Sequence, residues 1–370
     1  MNMKKLMTIV VATISMATFS KGIYFVSGGD FRECRVKFTV ETTNENQTVS
    51  VTPNMVGLLR NYGNPTYAGP WSIKTMGVEH EYSEYENVNF SQPKGSCYNA
   101  DPWNFTYPNT GRHLVKMYDQ NANIFQIYFQ NNNDITSMKI DYEGIPSGNK
   151  FVGSIQFKVN RCANLEDLYL GFPGEGGFTL REINYMPKLK NITMSNPEVI
   201  STMAGNNIFR QVGVTNDMVF ANVTNCSTGA FMWSPYIEYA SFPNIRSFQD
   251  STFNLGSDEN GEGLSKAKIQ TRNLGLKRLR VGDGLEYVGS NCFWRHTNLH
   301  TIEFVTADDN WIAAWNNHAI FPRWFGTATA IEGKTDEATL TPPPQVIDDF
   351  YSVSSEHPTP TNLVWIKRVD

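Results

Sequence analysis

The sequence lacks an excess of positive charge: 31 Lys and Arg stand against 36 Asp and Glu, for a net charge of −5. No basic stripe is present to release counterions from a phosphate backbone, which excludes nucleic acid as the partner class. Charged residues of both signs make up only 18%, below the roughly 25% of an average soluble domain. The shortfall falls on Lys and Glu, the residues of helix surfaces. Aromatics reach 13%, and Asn, Ser, Thr and Tyr fill polar positions, a composition that favours strands and turns. Cysteine is sparse and odd in number: Cys34, Cys97, Cys162, Cys226 and Cys292, with no CxxC pair and no Cys/His cluster at zinc spacing. They read as small buried side chains, with one long-range disulfide as the alternative. No apolar run is long enough for a confident transmembrane helix, and a hydrophobic content of 40% excludes a disordered chain.

Catalytic constellations are also missing. His296 and His300 are four apart, but a turn and a strand start hold them rather than one helix face, so they read as locally bonded rather than as metal ligands. Gly171-Phe172-Pro173-Gly174-Glu175-Gly176-Gly177 lacks the Lys-Ser/Thr and the helix start of a phosphate loop and reads as a connection. Asp308-Asp309 and Asp348-Asp349 are sequence neighbours that seldom converge on one bond, and no nucleophile elbow or Cys/His pair is visible. The expectation is a protein that is not an enzyme and carries no cofactor and no metal. Six N-x-S/T sequons, such as Asn104-Phe105-Thr106 and Asn191-Ile192-Thr193, carry no weight in an Asn-rich chain.

The length of 370 residues fits two or three domains. Residues 1–20 have the form of a signal peptide or an N-terminal arm: Met1-Asn2-Met3-Lys4-Lys5, then an apolar stretch from Leu6 to Phe19 with Ser15-Met16-Ala17 at the positions a signal peptidase reads. Residues 31–145 read as a strand-rich unit. Arg35 to Glu41, Gln47 to Thr52, Trp71 to Lys74 and Ile124 to Phe129 alternate apolar with polar, the mark of half-buried strands. A turn at Asn109 and Gly111 feeds the strand His113-Leu114-Val115-Lys116-Met117. The stretch from Phe105 to Met117 resembles the H-x-Y-x-x-x-G-x-Y-x-V-x-I segment of PKD-type immunoglobulin-like β-sandwiches. Trp71 to Gly77 stands where that family carries W-x-x-x-W-G-D-G, without its acidic-glycine turn.

From residue 150 the texture changes to a ladder of L-x-x-L-x-L segments. Its rungs are Cys162 to Leu170, Met186 to Met194, Tyr236 to Pro243, Leu276 to Val281 and Leu299 to Phe304. The recurrence, Leu165 to Leu189 and Leu276 to Leu299, falls within the 20–29 residues of leucine-rich repeats. The acidic, glycine-rich stretch Gly256 to Gly263 is the expected loop insertion, and 195–228 is the least regular part. A second element follows the rungs at Phe242 to Phe253 and Leu285 to Leu299: apolar, two spacers, apolar, four spacers, Phe. The combination resembles the BspA-like leucine-rich repeats, L-x-x-L-x-L-P-x-x-L-x-x-I-x-x-x-A-F-x-x-C, over residues 150–305, best from Ala230 to Phe304.

The expected fold is therefore mainly β: an Ig-like (PKD-like) β-sandwich followed by a short leucine-rich-repeat solenoid with parallel strands. Residues 306–370 form a C-terminal cap or tail, with Pro342-Pro343-Pro344 and Pro358-Thr359-Pro360 around an apolar stretch. One repeat cannot bury its own apolar edge; stacked repeats share a core, each inward Leu or Phe contributing about 1.5–3 kcal/mol. Residues flanking the inward ones face outward on the concave side. Down the ladder these are Asp167 and Tyr169, Asn191 and Thr193, Tyr239 and Ser241, Arg278 and Arg280, and Thr301 and Glu303, a stripe with the Tyr and Arg that binding hot spots favour. The resemblance implies a secreted or cell-surface recognition and adhesion protein that binds a protein or glycan on a host or neighbouring cell. The alternative is a bacteriophage virion component, a fibre or decoration protein. Homo-oligomers or virion proteins are further expected partners, with no membrane span.

Overall fold

The computed structural model describes residues 34–51, 53–57, 76–80, 89–91, 103–119, 124–143, 156–172, 174, 178–341 and 364–369. The expected leader at 1–20, the strand expected at Trp71 to Lys74, most of the glycine-rich connection after Phe172, the Asp348-Asp349 pair and the proline-flanked stretch 342–363 lie outside them. The chain is mainly β, with parallel sheets and few helices. In chain order the first strands are β1 (Cys34–Thr42), β2 (Gln47–Val51), β3 (Pro53–Gly57), β4 (Met76–His80), β5 (Asn89–Ser91), β6 (Trp103–Tyr107), β7 (Gly111–Asp119) and β8 (Ile124–Gln130). Then come β9 (Ile135–Asp141), β10 (Gln156–Asn160), β11 (Asp167–Gly171), β12 (Phe178–Leu180), β13 (Ile183–Asn184), β14 (Asn191–Ser195), β15 (Ile200–Met203), β16 (Met218–Val219) and β17 (Asn225–Cys226). The remainder are β18 (Tyr239–Phe242), β19 (Ser247–Phe248), helix α1 (Lys266–Thr271), β20 (Arg278–Gly282), β21 (Tyr287–Val288), β22 (Thr301–Val305), α2 (Trp311–Asn317), α3 (Phe321–Phe325), β23 (Thr327–Ala330), β24 (Glu337–Thr341) and β25 (Val364–Val369).

Each L-x-x-L-x-L segment places a strand at its last apolar residues, and these strands pair in parallel within two runs, one ending at β14 and the other containing β18, β20 and β22. β9, β11 and β14 run side by side with Met138, Leu168 and Ile192 aligned. In a seven-stranded sheet β16, β18, β20, β22 and β25 align Ala240, Leu279, Ile302 and Ile366. All these aligned side chains are at most 5% exposed. Alternation does the sorting: in β22 Ile302 and Phe304 are buried while Thr301, Glu303 and Val305 stay partly open. A second parallel ladder, β12-β15-β17-β19-β21, forms from the element that follows each rung. Between the ladders the rings of Phe209, Phe231, Phe253 and Phe293 stack, with centroids 5.2, 5.0 and 5.4 Å apart and planes within 18°.

Corners repeat as well. Arg161, Tyr185, Gln211 and Trp233 each have φ between 53° and 61°, a left-handed conformation that costs a non-glycine residue about 1–2 kcal/mol. The backbone hydrogen bonds Arg161 N to Asn184 O, Tyr185 N to Arg210 O, Gln211 N to Met232 O and Trp233 N to Asn254 O offset that cost. Arg210 adds its guanidinium, 3.8 Å from the Trp233 ring and 5.5 Å from Tyr185.

Both ends of the parallel arrangement turn antiparallel. β1 pairs antiparallel with β9 on one side and β7 on the other, so the six-stranded sheet β14-β11-β9-β1-β7-β4 draws strands from both sides of residues 145–150. β6 and β7, joined by the turn at Asn109, belong to different sheets. At the far end β24 pairs antiparallel with β25 and β23 with β24. There α2 and α3 bury Trp311, Trp315, Phe321, Trp324 and Phe325, with Trp315 and Phe321 against Phe304. The step from β18 to β20 carries the insertion: Leu255, Leu264, Ile269 and Leu274 form a separate small core beside α1.

Candidate functional site: an open sheet face in two stations

The first station lies on β9, β11 and β14. Asp167, Tyr169, Asn191 and Thr193, all expected on one face, line a groove of about 300 Å³ together with Ser137 and Lys139 of β9. Parallel register brings them together: Ser137 stands beside Asp167 and Asp167 beside Asn191, while Lys139 stands beside Tyr169 and Tyr169 beside Thr193. The Asn191 amide donates to Asp167 Oδ1 at 2.8 Å. The Lys139 ammonium sits 4.2 Å from the Tyr169 ring centroid and 2.8 Å from Asp141 Oδ2, while the Tyr169 hydroxyl donates to Glu143. Tyr169 is thus held over its ring by Lys139 and at its hydroxyl by Glu143 while it lines the groove. The arrangement offers a cation, a carboxylate, an amide and a hydroxyl around one aromatic wall, a set suited to holding a polar ligand.

A second station lies on β18, β20 and β22. The Tyr239 hydroxyl donates to Glu303 Oε2 at 2.9 Å across the intervening strand β20, and the Arg278 guanidinium lies 4.5 Å over the Tyr239 ring and 3.6 Å from Glu303 Oε1. Burial, then the bond to Glu303, pushes the Tyr239 phenol above its ordinary range. Thr301 aligns with Arg278, and Glu303 with Arg280.

The ten expected residues therefore fall on two sheets rather than on one continuous stripe. Between β14 and β16 the strand ladder is interrupted: Ile192 N donates to the Asn216 side chain at 2.9 Å, and Thr215 N to Lys190 O at 3.0 Å. This is the irregular stretch 195–228. One residue of the ten is not on the open surface. Ser241 is 4% exposed, two residues from Tyr239, whose hydroxyl reaches across β20 to Glu303. Sequence reasoning also missed Ser137 and Lys139, which precede the first recognised rung, and Trp365 and Lys367, which arrive on β25 beside Thr301 and Glu303. Their signal was the alternation in Ile135–Asp141 and Val364–Val369, but alternation does not name a strand's neighbour.

The remaining candidates are held by local hydrogen bonds and ion pairs. The His296 ring is buried within backbone hydrogen bonds, while the His300 ring bonds Thr301 Oγ1 at the start of β22. Asp308 caps Asn310 N, and Asp309 pairs with Arg368 at 3.2 Å. Cys162, Cys226 and Cys292 are free and buried. Among the described residues no three His, Cys, Asp or Glu side chains gather as a metal site, and no helix is long and apolar enough to cross a membrane. Compared with protein-family models, with curated proteins and with solved structures, the chain matches none.

Proposed function

We propose that this chain is a non-enzymatic recognition and adhesion protein, exposed on a cell surface or secreted, that binds a protein or glycan ligand through the open face of its parallel strands. In this reading the antiparallel strands of the N-terminal part are an Ig-like sandwich, and the parallel ladders are a short leucine-rich-repeat solenoid whose outward residues carry the binding. The single observation that supports it is the groove beside Tyr169. Four residues selected from the L-x-x-L-x-L pattern, Asp167, Tyr169, Asn191 and Thr193, line it, and Lys139 completes it. A face that only kept the sheet soluble would not need a lysine stacked on a tyrosine above a concavity.

The test is binding of the fluorescently labelled chain to intact bacterial and animal cells, scored by flow cytometry. Saturable binding to at least one cell type is expected, reduced at least about tenfold by Tyr169→Ala combined with Lys139→Glu, since loss of a stacked pair and reversal of a charge each remove on the order of 1 kcal/mol or more. Saturable binding that the double variant leaves unchanged, with its circular dichroism intact, overturns the groove as the site. Absence of binding to every cell type overturns the adhesion reading.

A further inference from the structure

We infer that the second station extends across β22 to Trp365 of β25 and there takes the pyranose ring of a glycan. Trp365 is 44% exposed, and the other large hydrophobic side chains exposed among the described residues are Val219 and Tyr287, on β16 and β21. Among the described residues the indole is therefore a lone apolar plate and not part of the contiguous apolar patch, several hundred Å² in extent, that a protein partner buries. Its frame is polar. Thr301 stands beside it on β22 and Thr339 beside it on β24. Lys367, on the same face two residues along, stands beside Glu303, and Arg278 stands beyond Thr301. Ile366 between Trp365 and Lys367 is fully buried, which sets the alternation and turns the other two outward.

A flat apolar plate bordered by hydroxyls, a carboxylate and a guanidinium matches a sugar ring, whose C–H face is apolar and whose rim is a ring of hydroxyls. Glu303 is already oriented by Tyr239 and Arg278, so its remaining acceptor capacity is fixed in place. The plate sits on β25, an interior strand of its sheet between β22 and β24, so little ordering entropy is lost when a ligand docks. This station extends the recognition reading to a stated ligand chemistry. It lies on a different sheet from the Tyr169 groove, so the two can fail separately.

The experiment is saturation-transfer NMR on the full chain with the methyl glycosides of glucose, galactose, mannose and N-acetylglucosamine at millimolar concentration. Transfer to at least one pyranoside is expected. It should fall at least about tenfold in Trp365→Ala, as loss of a stacking contact requires, and should persist in Trp365→Phe and in the Tyr169→Ala, Lys139→Glu groove variant. No transfer to any of the four with the unaltered chain overturns the inference. Transfer that survives Trp365→Ala, in a variant whose circular dichroism is unchanged, overturns it too. Transfer lost only in the groove variant assigns the sugar to the groove and overturns this station while leaving the recognition reading standing.

Discussion

His296 Nδ1 accepts the backbone N–H of Leu276 at 2.9 Å while its Nε2 donates to the carbonyl of Phe253. The ring is 3% exposed and joins the segment that ends at Phe253 to the strand that begins after Leu276. An N–H on one side and a carbonyl on the other fix the neutral tautomer, so the imidazole has no site for a second proton without losing the Leu276 bond. Burial, opposed in part by the Phe253 carbonyl, lowers its pKa to about 4.

The pH dependence follows from that direction. Below the ordinary histidine pKa of 6.5 the unfolded chain binds a proton that the folded chain refuses, so stability falls as pH drops from 6.5 towards 4, by a total on the order of 3 kcal/mol. Burial also lowers the pKa of His113 and His300, which add to the loss in the same direction. Urea denaturation between pH 8 and pH 4 should show a plateau above pH 6.5 and a decline below it. In His296→Gln the decline should become shallower. An equal slope in the two proteins contradicts the buried neutral imidazole.

Phe253 lies between Phe231 at 5.0 Å and Phe293 at 5.4 Å, with near-parallel planes on both sides. Phe253→Ala, which opens a cavity in the centre of that stack, should cost about 3–5 kcal/mol in chemical denaturation, and Phe293→Ala should cost a similar amount. A loss under about 1 kcal/mol at either position means the rings do not form one continuous column.

Gly282 ends β20 where a Cβ would stand on the carbonyl oxygen of Pro243, whereas nothing lies within 4 Å of a Cβ on Gly284. Gly282→Ala forces neighbouring strands apart and should destabilise by about 1–3 kcal/mol, while Gly284→Ala should be near neutral. Equal melting temperatures for the two variants contradict the close approach of the rungs.

Thiol labelling tests the cysteines. Burial raises the pKa of Cys162 to about 11 and raises those of Cys226 and Cys292 as well. Peptide mapping after treatment with a thiol reagent at pH 8 should find these three unmodified in the folded chain and modified once urea is present. Labelling of Cys226 or Cys292 in the native protein contradicts their place in the core.

The strands within the L-x-x-L-x-L segments were legible. Strands begin at Asp167, Asn191, Tyr239, Arg278 and Thr301, each inside an L-x-x-L-x-L segment, because inward leucines and outward polar residues must alternate for one face to be buried. β16 was not legible: it has two residues, Met218 and Val219, too few to alternate. β9 and β25 alternate like any strand, yet their parallel partners, β11 and β22, are set by long-range packing that local periodicity does not encode. The insertion from Leu255 to Leu274 breaks the spacing between rungs because it carries a small core of its own. Part of the proposed binding face was accessible for the same reasons. Asp167, Tyr169, Asn191 and Thr193 meet in a groove, whereas Lys139 and Trp365 required the pairing of strands distant in sequence.

Hydrogen exchange of the chain with and without bound cells or their solubilised surface fraction measures the claim most directly. The account predicts slowed exchange confined to Ile135–Asp141, Asp167–Gly171, Asn191–Ser195 and the strands β18, β20, β22 and β25, the segments that carry the open face. Slowed exchange only in the insertion around α1 or in the corner residues from Arg161 to Trp233, with that face unchanged, would contradict it.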